Sequence, residues 1–240
     1  MTADSSPDDL KPTTVDYVAV AAKAALGAVP FAGSLLAELA GTVIPNQRID
    51  RIVRFASQLE ARLTQVERDA IRSNLADENF TDLMEEGLRQ AARSTTDERR
   101  AHIASVVANS LTSEHISFVE SKHLLRLLGE INDIEVVWLR FYLHREMNGD
   151  QEFRSKHEDI LSPVAAHLQS SQAEIDKEIL QKSYKIHLCQ LGLLRERYQM
   201  DPKTQLPTFD KMRGELKVSG YELSRTGHLL LKLMGLADQE

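Results

Sequence analysis

His187-Leu188-Cys189-Gln190-Leu191-Gly192-Leu193-Leu194 reads as an apolar helix running straight into a strand. Gly192 stands where a helix C-cap belongs and permits the tight helix-to-strand turn. Leu193 and Leu194 are placed to seat the strand on the helices. Downstream, Tyr221-Glu222-Leu223-Ser224-Arg225-Thr226-Gly227-His228-Leu229-Leu230-Leu231 reads in the opposite order. There a strand ends at Leu223, and Ser224 caps a terminal helix, Arg225 to Leu236. The two strands are expected at Leu193–Tyr198 and Gly214–Leu223. Asp201, Pro202 and Pro207 lie between them, as in a long hairpin loop.

Upstream, Glu152 to Ser170 and Gln172 to Leu191 read as two helices. Asn132 with Glu135 has capping-box spacing, and Ile134, Val137, Trp138 and Phe141 follow at helical intervals. Gly149-Asp150 breaks that pattern. Further back, a helix is expected from Ser113-Glu114 to about Ile131. Another runs from about Thr96 to Leu111, opened by the Thr95–Glu98 cap. A third runs from Phe80 to Arg93, with Phe80, Leu83, Met84, Leu88 and Ala91 on one face. Ile49, Ile52, Ala56, Leu59, Leu63, Val66 and Ala70 recur at intervals of 3, 4, 3, 4, 3 and 4. That heptad seam predicts one long helix over about Asn46–Asn74, packed within an intramolecular bundle.

Val15 to Pro45 is the most unusual stretch. Small residues dominate it: Gly27, Ala28, Ala32, Gly33, Ala37, Ala40 and Gly41. Its apolar halves are separated by Glu38, and each falls short of the roughly 20 apolar residues of a spanning helix. Pro30 is expected to interrupt it, leaving two short helices that meet near Val29–Gly33. Met1 to Pro12 carries Asp4, Asp8 and Asp9, lacks the basic start of a secretory signal, and reads as a disordered lead.

The order helix, helix, helix, hairpin, helix from Asn132 to Leu236 resembles a winged helix-turn-helix domain. The carriers are the Leu188–Leu194 and Tyr221–Leu231 phrases, which are similar to the helix end before a wing and to the strand that returns from it. A second resemblance spans Glu85-Glu86-Gly87, Ala91-Ala92-Arg93, Ser94–Arg100, Ala104–Leu111 and Leu124–Glu135. This arrangement is similar to bacterial abortive-infection alpha-type proteins, a group linked to phage defence. It implies a bacterial cytosolic protein with no assigned chemistry, and the small-residue segment Val15–Pro45 mirrors that group's amphiphilic N-terminal segment. The expected fold class is mainly α: an N-terminal helical bundle plus a C-terminal winged-helix-like domain with a small β-hairpin. The expected divisions are a lead over 1–12, the bundle over 13–130, and the winged-helix-like domain over 131–240.

Composition narrows the function. The 240 residues carry 29 Lys plus Arg against 36 Asp plus Glu, a net charge of −7, which argues against a broad non-specific nucleic-acid binder. Hydrophobic residues at 42% and charged residues at 27% fit a globular chain, and aromatics at 5% imply an aliphatic core. The one cysteine, Cys189, excludes a disulfide framework and any Cys-based zinc site. Its place on an apolar helical face reads as structural. No G-x-S-x-G elbow and no phosphate-binding glycine loop occurs. His115, His123, His144, His157 and His167 are scattered, no H-E-x-x-H is present, and His157-Glu158-Asp159 offers too few ligands. Three residues separate Arg140 from His144, which is not the offset of helical HEPN-class RNases. Asp201 with Glu215-Leu216-Lys217 imitates a D…E-x-K metal site only loosely. No enzyme, cofactor or small-molecule substrate is therefore expected.

Two interaction roles are expected instead. In the leading one, a cytoplasmic protein, peripheral at the inner membrane, acts in bacterial defence. Its amphiphilic segment contacts membrane through Leu35, Leu36, Arg48, Arg51 and Arg54, and its winged-helix-like domain binds a protein partner or a second copy. Cations beside an apolar segment can engage anionic headgroups. In the alternative, the bundle dimerises a transcriptional regulator. Lys182, Lys185, Lys211, Arg213 and Lys217 then contact duplex DNA from the recognition helix and the wing.

Overall fold

The computed structural model describes residues 29, 33, 48–74, 76–111, 113–146, 149–164, 167, 170–211 and 214–237. Two compact units divide between Leu125 and Arg126. The chain is mainly helical, with a small antiparallel hairpin near its C-terminus.

In the first unit, α1 (Ile49–Glu60), α2 (Gln65–Asn74), α3 (Glu78–Arg93) and α4 (Asp97–Leu111) follow one another. The start of α5 (Phe118–Glu130) belongs here, and the unit division falls within that helix. The core is aliphatic with two phenylalanines, Phe55 and Phe80, among its largest members. Every residue from Ile103 to Ala108 is buried, so α4 is the central helix, enclosed on all sides. Gly87 lets α3 approach it: a Cβ there would lie 3.1 Å from Val107 Cγ2. The face expected on Phe80–Arg93 is the buried one.

The single helix expected over Asn46–Asn74 is two helices. Leu63 N donates to Glu60 O and Arg62 N to Leu59 O, tight turns that end α1. Arg68 pairs with Glu60 at 2.8 Å. In a straight helix, residues eight apart are about 12 Å apart along the axis, so this pair requires the bend. Arg62 Nε also donates to Ser105 Oγ on α4 at 2.9 Å. In the sequence Thr64 precedes Glu67 by the spacing of a capping box, a local signal for the second start. The helix expected from Ser113 begins only at Phe118. Its reciprocal cap is Ser117–Glu120, with Glu120 Oε2 accepting from Ser117 N and Ser117 Oγ from Glu120 N.

The second unit contains α6 (Asp133–Phe141), a single 3₁₀ turn Tyr142–His144, the short α7 (Gln151–Lys156) and α8 (Glu158–Leu161), and α9 (Gln172–Gln190). Then come β1 (Leu194–Tyr198), β2 (Phe209–Asp210), β3 (Glu215–Leu216), β4 (Val218–Leu223) and α10 (Arg225–Leu233). The Asn132–Glu135 capping box is present on α6. The helix expected over Glu152–Ser170 is instead interrupted at His157 and stops at Leu161. Ser162 is extended (ψ 119°), the conformation that a following proline, here Pro163, imposes. β1 pairs antiparallel with β4, Leu194 opposite Leu223, with a register shift between Arg197 and Tyr198. The strand expected over Gly214–Leu223 is divided at Lys217, because β3 pairs with β2 in a second small hairpin.

Candidate functional site

The turn at Gly192 builds the platform. Gly192 has φ +70°, the left-handed region that favours glycine. Ser224 Oγ donates to Gly192 O at 2.6 Å and accepts from Gly227 N at 2.9 Å, while Ser224 N donates to Leu193 O. One serine therefore ties the start of the hairpin to the start of α10. A Cβ on Gly227 would collide with the Leu193 carbonyl oxygen, so the glycine permits a backbone-to-backbone approach.

α9 is anchored to neighbouring segments. Gln181, buried, donates through Nε2 to Ile160 O and Ser162 O at 3.0 and 2.9 Å. His187 Nδ1 lies 2.6 Å from Glu135 Oε1, and that buried carboxylate also accepts from Asn132 N. Leu188 is fully buried.

Between α9 and the strands opens a groove of about 970 Å³. Lys182 and Lys185 line it from the helix, and Lys217, Leu216, Val218 and Tyr198 from the strand region. Lys185 Nζ lies 4.3 Å from the centre of the Trp138 ring, and burial lowers its pKa below the usual lysine value. Tyr198 donates to Glu196 Oε2 at 3.0 Å, and that hydrogen bond raises the phenol's pKa. Glu178, Asp210 and Glu215 also border the groove, so its charge is mixed.

The sequence-derived residues are distributed unevenly. Three of the five nucleic-acid candidates, Lys182, Lys185 and Lys217, share the groove. Lys211 is exposed and outside its lining, and Arg213 lies outside the described residues. Of the membrane candidates, Leu35 and Leu36 lie outside the described residues, as does most of Val15–Pro45. Arg48 is exposed. Arg51 donates to the carbonyls of Ala92 and Arg93 at 3.2 and 3.3 Å, and Arg54 pairs with Asp97 at 3.4 Å. These two arginines thus hold the end of α3 and the start of α4.

Asp201, the first residue of the loose metal pattern, is a turn former. Its Oδ1 accepts from Lys203 N and Thr204 N, and the Thr204 and Lys203 amides hold its carboxyl below the usual range. Among the described residues no group of three or more His, Cys, Asp or Glu is placed to hold a metal. Cys189 is half-buried rather than enclosed; burial first, then the Glu196 charge, pushes its thiol up to about 11. No described helix is long and apolar enough to cross a membrane.

The sequence reading missed the apolar surface of the hairpin region. Met200, Leu206, Phe209, Leu216 and Val218 are exposed there, Leu206 by 63% and Phe209 by 56%. Ile179 and Leu180 are exposed on α9. The available signal was the run of large apolar residues between Tyr198 and Val218, in a segment with only a few short pairings to cover them. No family model, curated protein or solved structure matches the chain.

Proposed function

We propose that this protein is a non-enzymatic interaction protein whose C-terminal unit, a winged-helix-like domain, binds a protein partner through α9 and the wing. The observation that carries this reading is the exposed apolar wing beside a groove of mixed charge. Phosphate backbones gain little from Leu206, Phe209, Leu216 and Val218, whereas protein interfaces are centred on such residues. The resemblance to abortive-infection alpha-type proteins supports a place in bacterial phage defence. In that setting Val15–Pro45 acts at a membrane, peripherally and from the cytoplasmic side. Flotation of the full chain with anionic liposomes, lost in L35D/L36D, is the expected sign of that activity.

The second reading is a DNA-binding regulator that dimerises through the bundle. It is favoured by one observation, the convergence of Lys182, Lys185 and Lys217 on one groove. The test places the full chain on duplex DNA across a salt series, beside a bacterial lysate pull-down. The expected outcome is no salt-steep DNA binding, together with retained proteins that F209S/V218S fails to retain. DNA affinity that falls steeply with salt and disappears in K182E/K185E overturns the protein-binding reading.

A further inference from the structure

Resting on the protein-binding reading, we infer that the partner is a second copy of this chain, whose α9 packs antiparallel against α9 about a twofold axis. α9 runs for 19 residues, yet only Gln181 and Leu188 on it are buried. A helix so little covered within its own unit has a face left to pair. Ile175, Ile179, Lys182 and Ile186 recur at intervals of 4, 3 and 4, the spacing of a seam against a second helix. At 3.6 residues per turn these four positions share one stripe, well round the helix from Gln181 and Leu188. Ile179 is 60% exposed, Lys182 is exposed, and Ile175 and Ile186 are half-buried.

The order of charges along α9 selects the occupant. Glu174, Asp176 and Glu178 lie in its first half, and Lys182 and Lys185 in its second. The exception, Lys177, donates to Asp159 O. A helix with its signs sorted in this way is complementary to its own reverse. Antiparallel, the acidic half of each copy meets the basic half of the other, whereas parallel pairing sets like charge against like. A twofold axis makes both contacts at once. The register that sets Ile175 against Ile186 of the second copy places Ile179 against that copy's Lys182, and Glu178 near its Lys185. A single lysine in an apolar seam fixes such a register at some cost in stability. Ile186 also lines the groove with Tyr198 and Val218, so the uncovered apolar surface continues from the seam onto the strand region. An apolar centre with charges at its rim is the anatomy of a protein interface.

Sedimentation equilibrium of the full chain over a concentration series tests this pairing. Expected is a reversible dimer. I179K, at an exposed position, sets lysine against Lys182 of the second copy and should raise the dimer's Kd about tenfold or more. I179K/K182E restores opposite charges across the seam and should regain part of that loss. A chain that stays monomeric throughout the series, or a dimer that I179K leaves intact, overturns the inference. Equal weakening in I179K and I179K/K182E overturns the antiparallel register. The protein-binding reading fails separately. A monomeric chain that still retains lysate proteins through Phe209 and Val218 leaves that reading standing. A monomeric chain that retains none, and binds DNA through Lys182 and Lys185, overturns both. Circular dichroism confirms that each variant is folded.

Discussion

Gly227 and Ser224 show how much a single position can carry in this chain. Ser224 satisfies the Gly227 amide and reaches back to Gly192, and Gly227 admits the Leu193 carbonyl where any side chain would strike it. The obstruction is backbone, which cannot rotate away as a side chain can. G227A is expected to cost about 2 kcal/mol or more in urea unfolding, through overpacking against a fixed carbonyl. G192A, where no atom crowds the added methyl, should cost only the left-handed backbone penalty of about 1 kcal/mol. Equal losses at the two glycines would contradict this account.

At the scale of elements, caps and junctions set the boundaries. α4 begins where Asp97 meets Arg100 at 2.6 Å, and the buried Arg100 also donates to Ser94 O at 2.8 Å. The hydrogen bond from Arg100, more than its charge or that of Arg54, holds the Asp97 carboxyl below the usual range. Because the folded pKa is depressed, this contribution is fully present above the unfolded value of about 3.9. It is lost as pH falls through the lower folded value. D97N is therefore expected to unfold at lower urea than the wild type near neutral pH, with the difference vanishing in strong acid. A difference that persists unchanged in strong acid would place the effect in packing rather than in ionisation.

Across the whole molecule, the contrast between enclosed and uncovered apolar residues matters more than their number. Leu188, Leu193, Leu230 and Leu231 are buried to the last per cent, whereas Phe209 and Leu206 are more than half exposed. L230A should cost about 2–5 kcal/mol, the range for a buried leucine truncated in a core. F209S should change stability by no more than about 0.5 kcal/mol, because its side chain has little packing to lose. Thermal melts of the two variants beside the wild type check both values. A large loss in F209S would mean that these exposed apolar residues serve the fold and not a partner.

The sequence settles the features that residues within a turn of one another decide. The Asn132–Glu135 box, the Gly192 turn, the Ser224 cap and the buried face of Phe80–Ala91 are of this kind, since each depends on contacts or periodicity within one segment. It also supplied the lysines but not their states. The Thr64–Glu67 spacing marks where a second helix can start, but the bend of the Ile49–Asn74 seam at Ala61–Thr64 is held from afar, where Arg62 finds Ser105 forty-three residues away. Folding alone places Lys185 on Trp138, commits Arg51 and Arg54 to α3 and α4, and leaves Lys182 and Lys217 beside uncovered apolar residues of the strand region. The periodicity of a segment says which residues share a face. What covers that face, and which charges meet there, depends on chain distant in sequence, and so appears only once the chain has folded.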